Sequence, residues 1–210
     1  MAQKESTFTN MTVTLFLVTL IAATILGFIH DLTKGDIELA KQKAQKEAIE
    51  SVLPAFDSLG DSYKVLPKDG SDSLEFFPAY DANQQLVGIA VKTYTKNGFS
   101  GFFSVMAGLA PDGTITGYEV LEHKETPGLG AKMNDWFKTE NKPKQNIIGK
   151  NPATSKFTVS KDGGDIDAIT ASTITSRAFL DAISRAYKTY QLAPNHAAET
   201  TKTTSEGGQS

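Results

Sequence analysis

Residues 167–176 read Asp167-Ala168-Ile169-Thr170-Ala171-Ser172-Thr173-Ile174-Thr175-Ser176, and five of these ten residues carry a hydroxyl group. From residue 174 to residue 190, apolar side chains recur at steps of three and four, which predicts an amphipathic helix. The hydroxyl-rich stretch therefore lies at a helix N-terminus. Unpaired N–H groups and the positive end of the helix dipole favour a phosphate or another anion there. Ordinary N-capping by one Ser or Thr is the alternative explanation.

A second chemical element is the loop of residues 123–130, which reads HKETPGLG. Pro127 and Gly128 fit the two central positions of a type II turn, and Gly130 can take a positive φ angle. Such a backbone lets N–H groups face a planar ligand. Taken alone, the loop is better explained as a structural turn. His123 is a candidate to tune a ligand, but a lone His more often has a packing or surface role.

Together the two stretches resemble the FMN-binding domains that carry their flavin covalently. The segment Asp167-x-x-Thr170-Ala171-Ser172-Thr173 is similar to the motif Asp-x-x-Ser/Thr-Gly-Ala-Thr, and residues 125–130 match the Glu-Thr-Pro-Gly-Leu-Gly loop of the same domains. Two motifs in this order are more specific than either alone. From its apolar segment to its final helix, the chain is most similar to the G subunits of Rnf-type electron-transport complexes. It departs from the motif at Ala171 and Ser172, where Gly and Ala are usual, and Ser172 offers a rival hydroxyl.

The resemblance implies an FMN cofactor joined to Thr173 through a phosphoester bond. A separate flavin transferase would attach it from FAD and release AMP, and Asp167 would serve recognition by that transferase or fix the turn. The hydroxyls of Thr170, Ser172 and Thr175 would help the helix N-terminus to hold the phosphate. No catalytic residue and no metal site is predicted. The predicted cofactor-binding residues are Thr170, Ala171, Ser172, Thr173, Thr175, Glu125, Thr126, Gly128, Leu129 and Gly130.

The amino-acid composition excludes cysteine-dependent chemistry and gives no sign of nucleic-acid binding. The 210 residues have a net charge of -3, which gives no general attraction to nucleic acid. The chain has no cysteine. This excludes disulfides, thiolate-bound iron–sulfur clusters and cysteine nucleophiles. An electron carrier in this protein must therefore be an organic or other non-thiolate group, in agreement with a flavin.

Residues 11–29 form an uncharged, largely apolar run. As a helix the run would be about 28 Å long, enough to cross the core of a bilayer. A cleaved signal peptide usually has a shorter apolar region, and a buried core helix is disfavoured because this run is apolar on all sides. We therefore predict an uncleaved membrane anchor, in contact with lipid, followed by a linker helix that approaches the domain.

The charge bias and the resemblance predict opposite orientations. Lys4 precedes the apolar run, whereas Lys34, Lys41, Lys43 and Lys46 follow it. The positive-inside rule would place the domain in the cytoplasm, although this rule weakens when a long folded domain follows. The resemblance implies an extracytoplasmic domain. We follow the resemblance and predict a single-pass protein of the inner (cytoplasmic) membrane with its flavin domain on the periplasmic side.

The middle of the chain has the pattern of an antiparallel meander or half-open barrel. Short β-branched and aromatic runs at 74–80, 86–94, 101–109 and 114–121 are separated by strong turn signals. Residues 60–73 are predicted as loop, 132–137 as a short helix, 156–160 as a further strand and 161–164 as a turn. The cluster of Phe99, Phe102, Phe103 and Met106 contains candidates to line a flavin, with core packing favoured for most of them.

These patterns predict an α+β fold with one N-terminal transmembrane helix, a mainly antiparallel sheet or half-barrel, and flanking helices. The predicted parts are a tail (1–10), the transmembrane helix (11–29), a linker helix (30–56), the FMN-binding domain (57–192) and a disordered tail (193–210). The implied function is electron relay by covalent FMN within an Rnf-type, ion-translocating ferredoxin/NAD oxidoreductase complex, whose other subunits are the partners. The alternatives are the C subunit of a sodium-translocating NADH:quinone oxidoreductase and a non-redox, membrane-anchored anion-binding module.

Overall fold

The computed structural model of the chain describes residues 7–69 and 72–193. Most of the predicted N-terminal tail and all of the predicted disordered tail except Ala193 lie outside these residues. The chain divides into two compact units, of which the first ends at Ala44 and the second begins at Gln45. Helix α1 (Phe8–Val52) includes both the predicted membrane segment and most of the predicted linker helix.

Within the described residues, α1 is the one helix long and apolar enough to cross a membrane. Its apolar segment contains four threonines, and each hydroxyl donates to a carbonyl of the helix's own preceding turn. Two examples are the bonds from Thr14 to Asn10 O and from Thr24 to Leu20 O, both 2.8 Å long. Hydroxyls satisfied within the helix carry little penalty in a hydrocarbon environment. The composition and the local bonding therefore both agree with a membrane-spanning segment. The other two threonines are Thr12 and Thr19.

The second unit is built on an antiparallel sheet. In the described part of the chain this sheet has six strands: β1 (Ser58–Leu59), β2 (Tyr63–Val65), β3 (Leu74–Tyr80), β4 (Leu86–Gly98), β5 (Gly101–Leu109) and β6 (Ile115–Glu122). The order is β1-β3-β4-β5-β6, and β2 also pairs with β3. Each named strand pair is antiparallel. The antiparallel meander is confirmed, and with it the α+β class.

Alternation along β5 sends its side chains to opposite faces of the sheet. Phe103 and Val105 join the larger core, which lies beneath helix α3 (Thr173–Tyr190). Met106 points the other way and packs with Ala48 and Ile49, near the end of α1. Phe103 and Met106 are fully buried, so their predicted role in core packing is confirmed.

Helix α3 is fixed to the sheet by stacking and by hydrogen bonding. The Phe179 ring lies 4.5 Å from the Phe137 ring and 4.9 Å from the Tyr118 ring, measured between centroids. The buried Thr93 hydroxyl donates to Ala182 O over 2.9 Å. These contacts hold the middle of α3 in a defined place against the sheet.

Two local predictions are wrong and one is confirmed. Residues 60–73 are not all loop, because strand β2 pairs with β3 there; turn-rich composition hid this three-residue strand. Residues 156–160 form no strand, since the backbone pairing is limited to a single parallel bridge between Val159 and Ile166. A 3-10 turn (Gly130–Lys132) followed by helix α2 (Met133–Trp136) confirms the short helix predicted at 132–137.

Candidate functional site

The loop after β6 contains the predicted type II turn. Gly128 has a φ of 75°, and the Leu129 N–H donates to Thr126 O over 3.1 Å. The left-handed conformation at the third turn position is one that glycine adopts without steric cost. The turn prediction at Pro127-Gly128 is confirmed.

Gly130 is glycine for a different reason from the one the sequence indicated. It is not among the residues with positive φ. Instead, a Cβ added to Gly130 would lie 2.3 Å from Glu125 Oε2 and 2.9 Å from Thr175 Oγ1. The position therefore requires glycine because a carboxylate and a hydroxyl fill the space that a side chain would need.

The hydroxyl-rich stretch forms a second turn of the same pattern. The Ser172 N–H donates to Ile169 O over 3.0 Å, and Ala171 has a φ of 60°. Ser176 fixes the turn, because its Oγ accepts from the Ile169 N–H and donates to Ser172 O, both over 2.9 Å. A left-handed conformation costs a residue with a Cβ about 1–2 kcal/mol. Ala171 thus occupies the position where the similar motif has glycine.

Helix α3 begins at Thr173, directly after this turn. Ser172 is the N-cap residue, but it makes no side-chain capping hydrogen bond. Simple capping therefore does not account for the hydroxyl cluster. The N–H groups in the first turn of any α-helix lack acceptors within the helix, and the helix dipole makes this end positive. Thr173 is half-buried at this end, whereas Ser172 is only 8% exposed.

Glu125 links the two motifs. The side chain is 5% exposed. Its Oε2 accepts a hydrogen bond from the Thr175 hydroxyl over 2.9 Å, and its Oε1 accepts from the Ser100 N–H over 3.0 Å. One carboxylate thereby joins the loop after β6, the first turn of α3 and the hairpin between β4 and β5. The Glu125 N–H also donates to His123 Nδ1 over 3.2 Å, which gives His123 a local structural role.

A cavity of about 310 Å³ lies between the two motifs. This volume is at the lower end of the range for small-molecule sites. Of the predicted cofactor-binding residues, Thr170 and Gly128 do not line it. Phe99 and Ile174 do, and the motif positions did not include them. The complete lining is Phe99, Glu125, Thr126, Leu129, Gly130, Ala171, Ser172, Thr173, Ile174 and Thr175.

The rim of this cavity is apolar and open. Phe99 is 69% exposed, Leu129 is 42% exposed and Ile174 is 50% exposed. Exposed large apolar side chains around a concave site are typical of ligand-binding or protein-binding surfaces. Phe99 belongs to the aromatic cluster noted in the sequence, and its place at the hairpin tip separates it from the buried Phe103.

A cation lies next to Thr173. Lys161 Nζ is 3.4 Å from Thr173 Oγ1, the distance of a long hydrogen bond. Lys161 belongs to a 3-10 turn (Ser160–Asp162) that is tied to α3 by Arg177, whose two nitrogens each donate to Asp162 over 2.7 Å. The Arg177 hydrogen bond lowers the pKa of Asp162, and the same contact raises the pKa of Arg177. The sequence pattern predicts only a turn at 161–164; the basic residue just before the motif was the available signal.

Asp167 lies outside the cavity lining. Its Oδ1 accepts from the Ser160 hydroxyl over 2.6 Å, and its backbone O accepts from Trp136 Nε1 over 2.9 Å. Both contacts fix the segment that leads into the motif turn. Of the two roles predicted for Asp167, this geometry supports the structural one.

The residues around the cavity fit an FMN. The backbone of the loop is open at Gly128, because nothing lies within 4 Å of the position that a Cβ would take there. Apolar side chains at the rim suit a planar aromatic ring, and the helix N-terminus with Lys161 suits a phosphate. Both halves of the cofactor thus have matching chemistry within one site.

Comparison with known proteins agrees with this site. The model of the FMN-binding domain family matches residues 98–188, which contain both motifs. The G subunit of the ion-translocating oxidoreductase complex of Aliivibrio fischeri is 32% identical over 202 residues, covering 89% of this chain and 93% of the relative. The corresponding protein of Methanosarcina acetivorans is 31% identical over 177 residues, covering 83% and 90%.

A further relative and a solved structure are also similar to the chain. The G subunit of the Na(+)-translocating ferredoxin:NAD(+) oxidoreductase complex of Acetobacterium woodii is 32% identical over 189 residues, covering 84% of this chain and 88% of the relative. Among solved structures, NqrC of Shewanella oneidensis matches with a TM-score of 0.40 and 23% identity. That match covers 60% of this chain and 61% of the NqrC chain.

The fold and the site define a flavoprotein with an N-terminal membrane helix and an FMN-binding domain. The chain belongs to the family of G subunits of ion-translocating oxidoreductase complexes. This assignment confirms the predicted resemblance and the FMN cofactor. It also favours the G subunit over the C-subunit alternative and over a non-redox binding module. As a member of this family, the chain is a subunit of a membrane complex in the inner membrane.

Proposed function

We propose that the chain carries FMN on Thr173 Oγ1 through a phosphoester bond and relays electrons within an Rnf-type ferredoxin:NAD oxidoreductase complex. The observation that carries the proposal is the position of Thr173. Its side chain lines the cavity that both motifs share, at the positive end of α3 and beside Lys161. A tethered flavin would have its phosphate where the chain offers N–H groups and a cation, and its ring where the chain offers apolar side chains.

Attachment requires a second enzyme, because a threonine hydroxyl is a weak nucleophile. In the proposed transfer, Thr173 Oγ1 forms a bond to the flavin-bearing phosphorus of FAD. The pyrophosphate bond breaks, AMP leaves and the hydroxyl proton passes to a base of the flavin transferase. The half-buried Thr173 is more accessible than the nearly buried Ser172, which supports Thr173 as the acceptor.

The hydroxyls near Thr173 divide into different roles. Thr175 donates to Glu125 and is fully buried, so we assign it to holding the site together rather than to the phosphate. Thr170 is exposed and Ser172 lines the cavity, which leaves both available to the phosphate or to its solvent shell. Lys161 supplies the positive charge that a phosphodiester requires, and charge-assisted contacts of this kind are among the stronger polar interactions.

Bound FMN supplies one- and two-electron redox chemistry. The chain's own residues orient it and control access to it. The apolar rim of Phe99, Leu129 and Ile174 lies at an open edge, so a flavin held there can be approached by the transferase and by a partner subunit. We infer that the isolated chain is an electron carrier, and that catalysis belongs to the assembled complex.

We extend the proposal to the topology and the parts of the chain. The FMN-binding domain comprises residues 57–192, the span in lipid comprises residues 11–29, and the domain faces the extracytoplasmic side. Protease added to intact spheroplasts should digest the domain. Protection of the domain until the membrane is broken would place it in the cytoplasm and contradict this topology.

The attachment is tested with the full chain made together with a flavin transferase. Flavin fluorescence should survive denaturing electrophoresis for the natural chain and for Ser172→Ala, and should be lost for Thr173→Val. Valine keeps the shape of threonine and removes only the acceptor oxygen. Fluorescence that persists in Thr173→Val and is lost in Ser172→Ala would move the attachment to the rival hydroxyl and refute the assignment.

A further inference from the structure

Glu125 is a buried acidic group in the wall of the proposed flavin site. It is 5% exposed and lines the cavity. Its two oxygens accept hydrogen bonds from two uncharged donors, the Ser100 N–H and the Thr175 hydroxyl. Two donors aimed at two oxygens match the acceptor-only character of an ionised carboxylate.

The chain makes room for this carboxylate with two glycines. A Cβ on Gly98 would lie 2.7 Å from Glu125 Oε1, and a Cβ on Gly130 would lie 2.3 Å from Glu125 Oε2. The carboxylate therefore sits in a fitted space between the hairpin and the loop after β6. Its position is set by the backbone on both sides and by the two hydrogen bonds.

Glu125 has no cationic side chain within ion-pair distance among the described residues. The ion pairs there join other residues, and Glu125 takes part in none of them. A buried charge without a counter-ion acts strongly on its surroundings, because the effective dielectric constant is lower there than in water. Neutral hydrogen bonds stabilise the charge but do not cancel it.

We propose that the Glu125 carboxylate lowers the reduction potential of the flavin bound in this cavity, in addition to joining the three segments of the site. The proposal rests on the proposed function for the presence of the flavin. Reduction adds negative charge to the ring, and a fixed anion in the wall of the same cavity makes that addition less favourable. The protein is thereby set to pass electrons on to acceptors rather than to retain them.

Glu125→Gln isolates the charge from the packing. Glutamine has nearly the same shape, its carbonyl oxygen can accept from the Ser100 N–H, and its NH2 group can donate to the Thr175 hydroxyl, which is able to accept as well as donate. The linkage between the segments is kept while the negative charge is removed. Thr175→Val makes the opposite change, since it keeps the carboxylate and removes one of the two hydrogen bonds that partly offset its negative charge.

The test is a spectroelectrochemical titration of the full chain in detergent, after covalent flavin attachment in cells that contain the transferase. Glu125→Gln should shift the midpoint potential to a more positive value, and Thr175→Val should shift it to a more negative value. Glu140→Gln, which removes an exposed charge outside the cavity lining, should leave the potential unchanged. Opposite shifts in the two site variants are not expected from a purely structural role.

An unchanged or more negative potential in Glu125→Gln would overturn this inference. If Glu125→Gln fails to take up flavin, the potential of the Thr175→Val variant is the test. A flavin potential in Thr175→Val that is equal to or above that of the natural chain overturns the inference. Both results are distinct from failure of the proposed function, which would appear as a natural chain without covalent flavin.

Discussion

Replacing Gly130 by alanine tests the packing that holds the two motifs together. The new Cβ would stand 2.3 Å from Glu125 Oε2, 2.9 Å from Thr175 Oγ1 and 3.0 Å from Glu125 Cβ. The methyl group and the carboxylate cannot both keep these positions, so Glu125 has to move and its bond to Thr175 is lost. Loss of a hydrogen bond to a charged group costs about 1.5–3 kcal/mol. Overpacking adds about 1–3 kcal/mol.

Alanine also lowers the conformational entropy of the unfolded chain. This effect alone stabilises the folded state by about 0.4–1 kcal/mol relative to glycine. The net expectation for Gly130→Ala is therefore a loss of roughly 1.5–5.5 kcal/mol in the free energy of unfolding. Gly128→Ala is the matched control, because nothing lies within 4 Å of its Cβ position and only the φ of 75° opposes it. That variant should lose at most about 1.5 kcal/mol.

The assay is urea unfolding of the full chain in detergent, followed by the fluorescence of Trp136. This is the only tryptophan of the chain, and its Nε1 donates to Asp167 O beside the motif. In a Glu125→Ala background the contact with Glu125 Oε2 is absent. There, Gly130→Ala should lower the free energy of unfolding by at least about 1 kcal/mol less than it does in the natural chain. Equal costs for Gly130→Ala in both backgrounds, or a cost no larger than that of Gly128→Ala, would refute the packing argument.

Three further predictions concern the turn and the charges next to Thr173. Ala171→Gly should stabilise the chain by about 0.5–1 kcal/mol, because relief of the left-handed φ exceeds the added unfolded-state entropy; a lower urea midpoint would contradict this. Lys161→Gln should slow flavin attachment several-fold in a fluorescence time course and Lys161→Arg should restore most of the rate, whereas equal rates for all three would exclude a counter-ion role. The pKa of Asp162 is lowered mainly by its hydrogen bond with Arg177. The stabilisation from this pair is therefore fully present above the unfolded-state pKa of about 3.9. It is lost as the pH falls through the lower, folded-state pKa. Asp162→Asn should therefore be less stable than the natural chain at neutral pH and equal to it in strong acid; a difference that persists in strong acid would contradict this.

The sheet and the helices were predictable because their patterns are local. Runs such as 74–80 and 101–109 alternate between two buried faces and are bounded by turn residues, and the structure places strands β3 and β5 at these positions. The periodic segment after residue 174 became α3 for the same reason, since its apolar face packs on the sheet. The Pro127-Gly128 turn followed from the conformational preferences of two residues.

The features that were missed depend on contacts between distant segments. Strand β2 is only three residues long and is defined by its pairing with β3. The reason for Gly130 is a carboxylate that folds back onto it, and no local pattern contains that contact. Lys161 reaches the site through a turn and lies in neither of the two motifs that the sequence offered. Phe99, which the aromatic cluster had made a candidate to line a flavin, reaches the cavity at a hairpin tip.

Attachment of FMN to Thr173 can be observed in the mass of the peptide that contains this residue. The full chain should be purified from membranes of cells with an active flavin transferase, digested and analysed by fragmentation mass spectrometry. We expect a peptide heavier by one phosphoester-linked FMN, with the added mass located on Thr173. Recovery of this peptide only at its unmodified mass, or with the flavin on another residue, would contradict it.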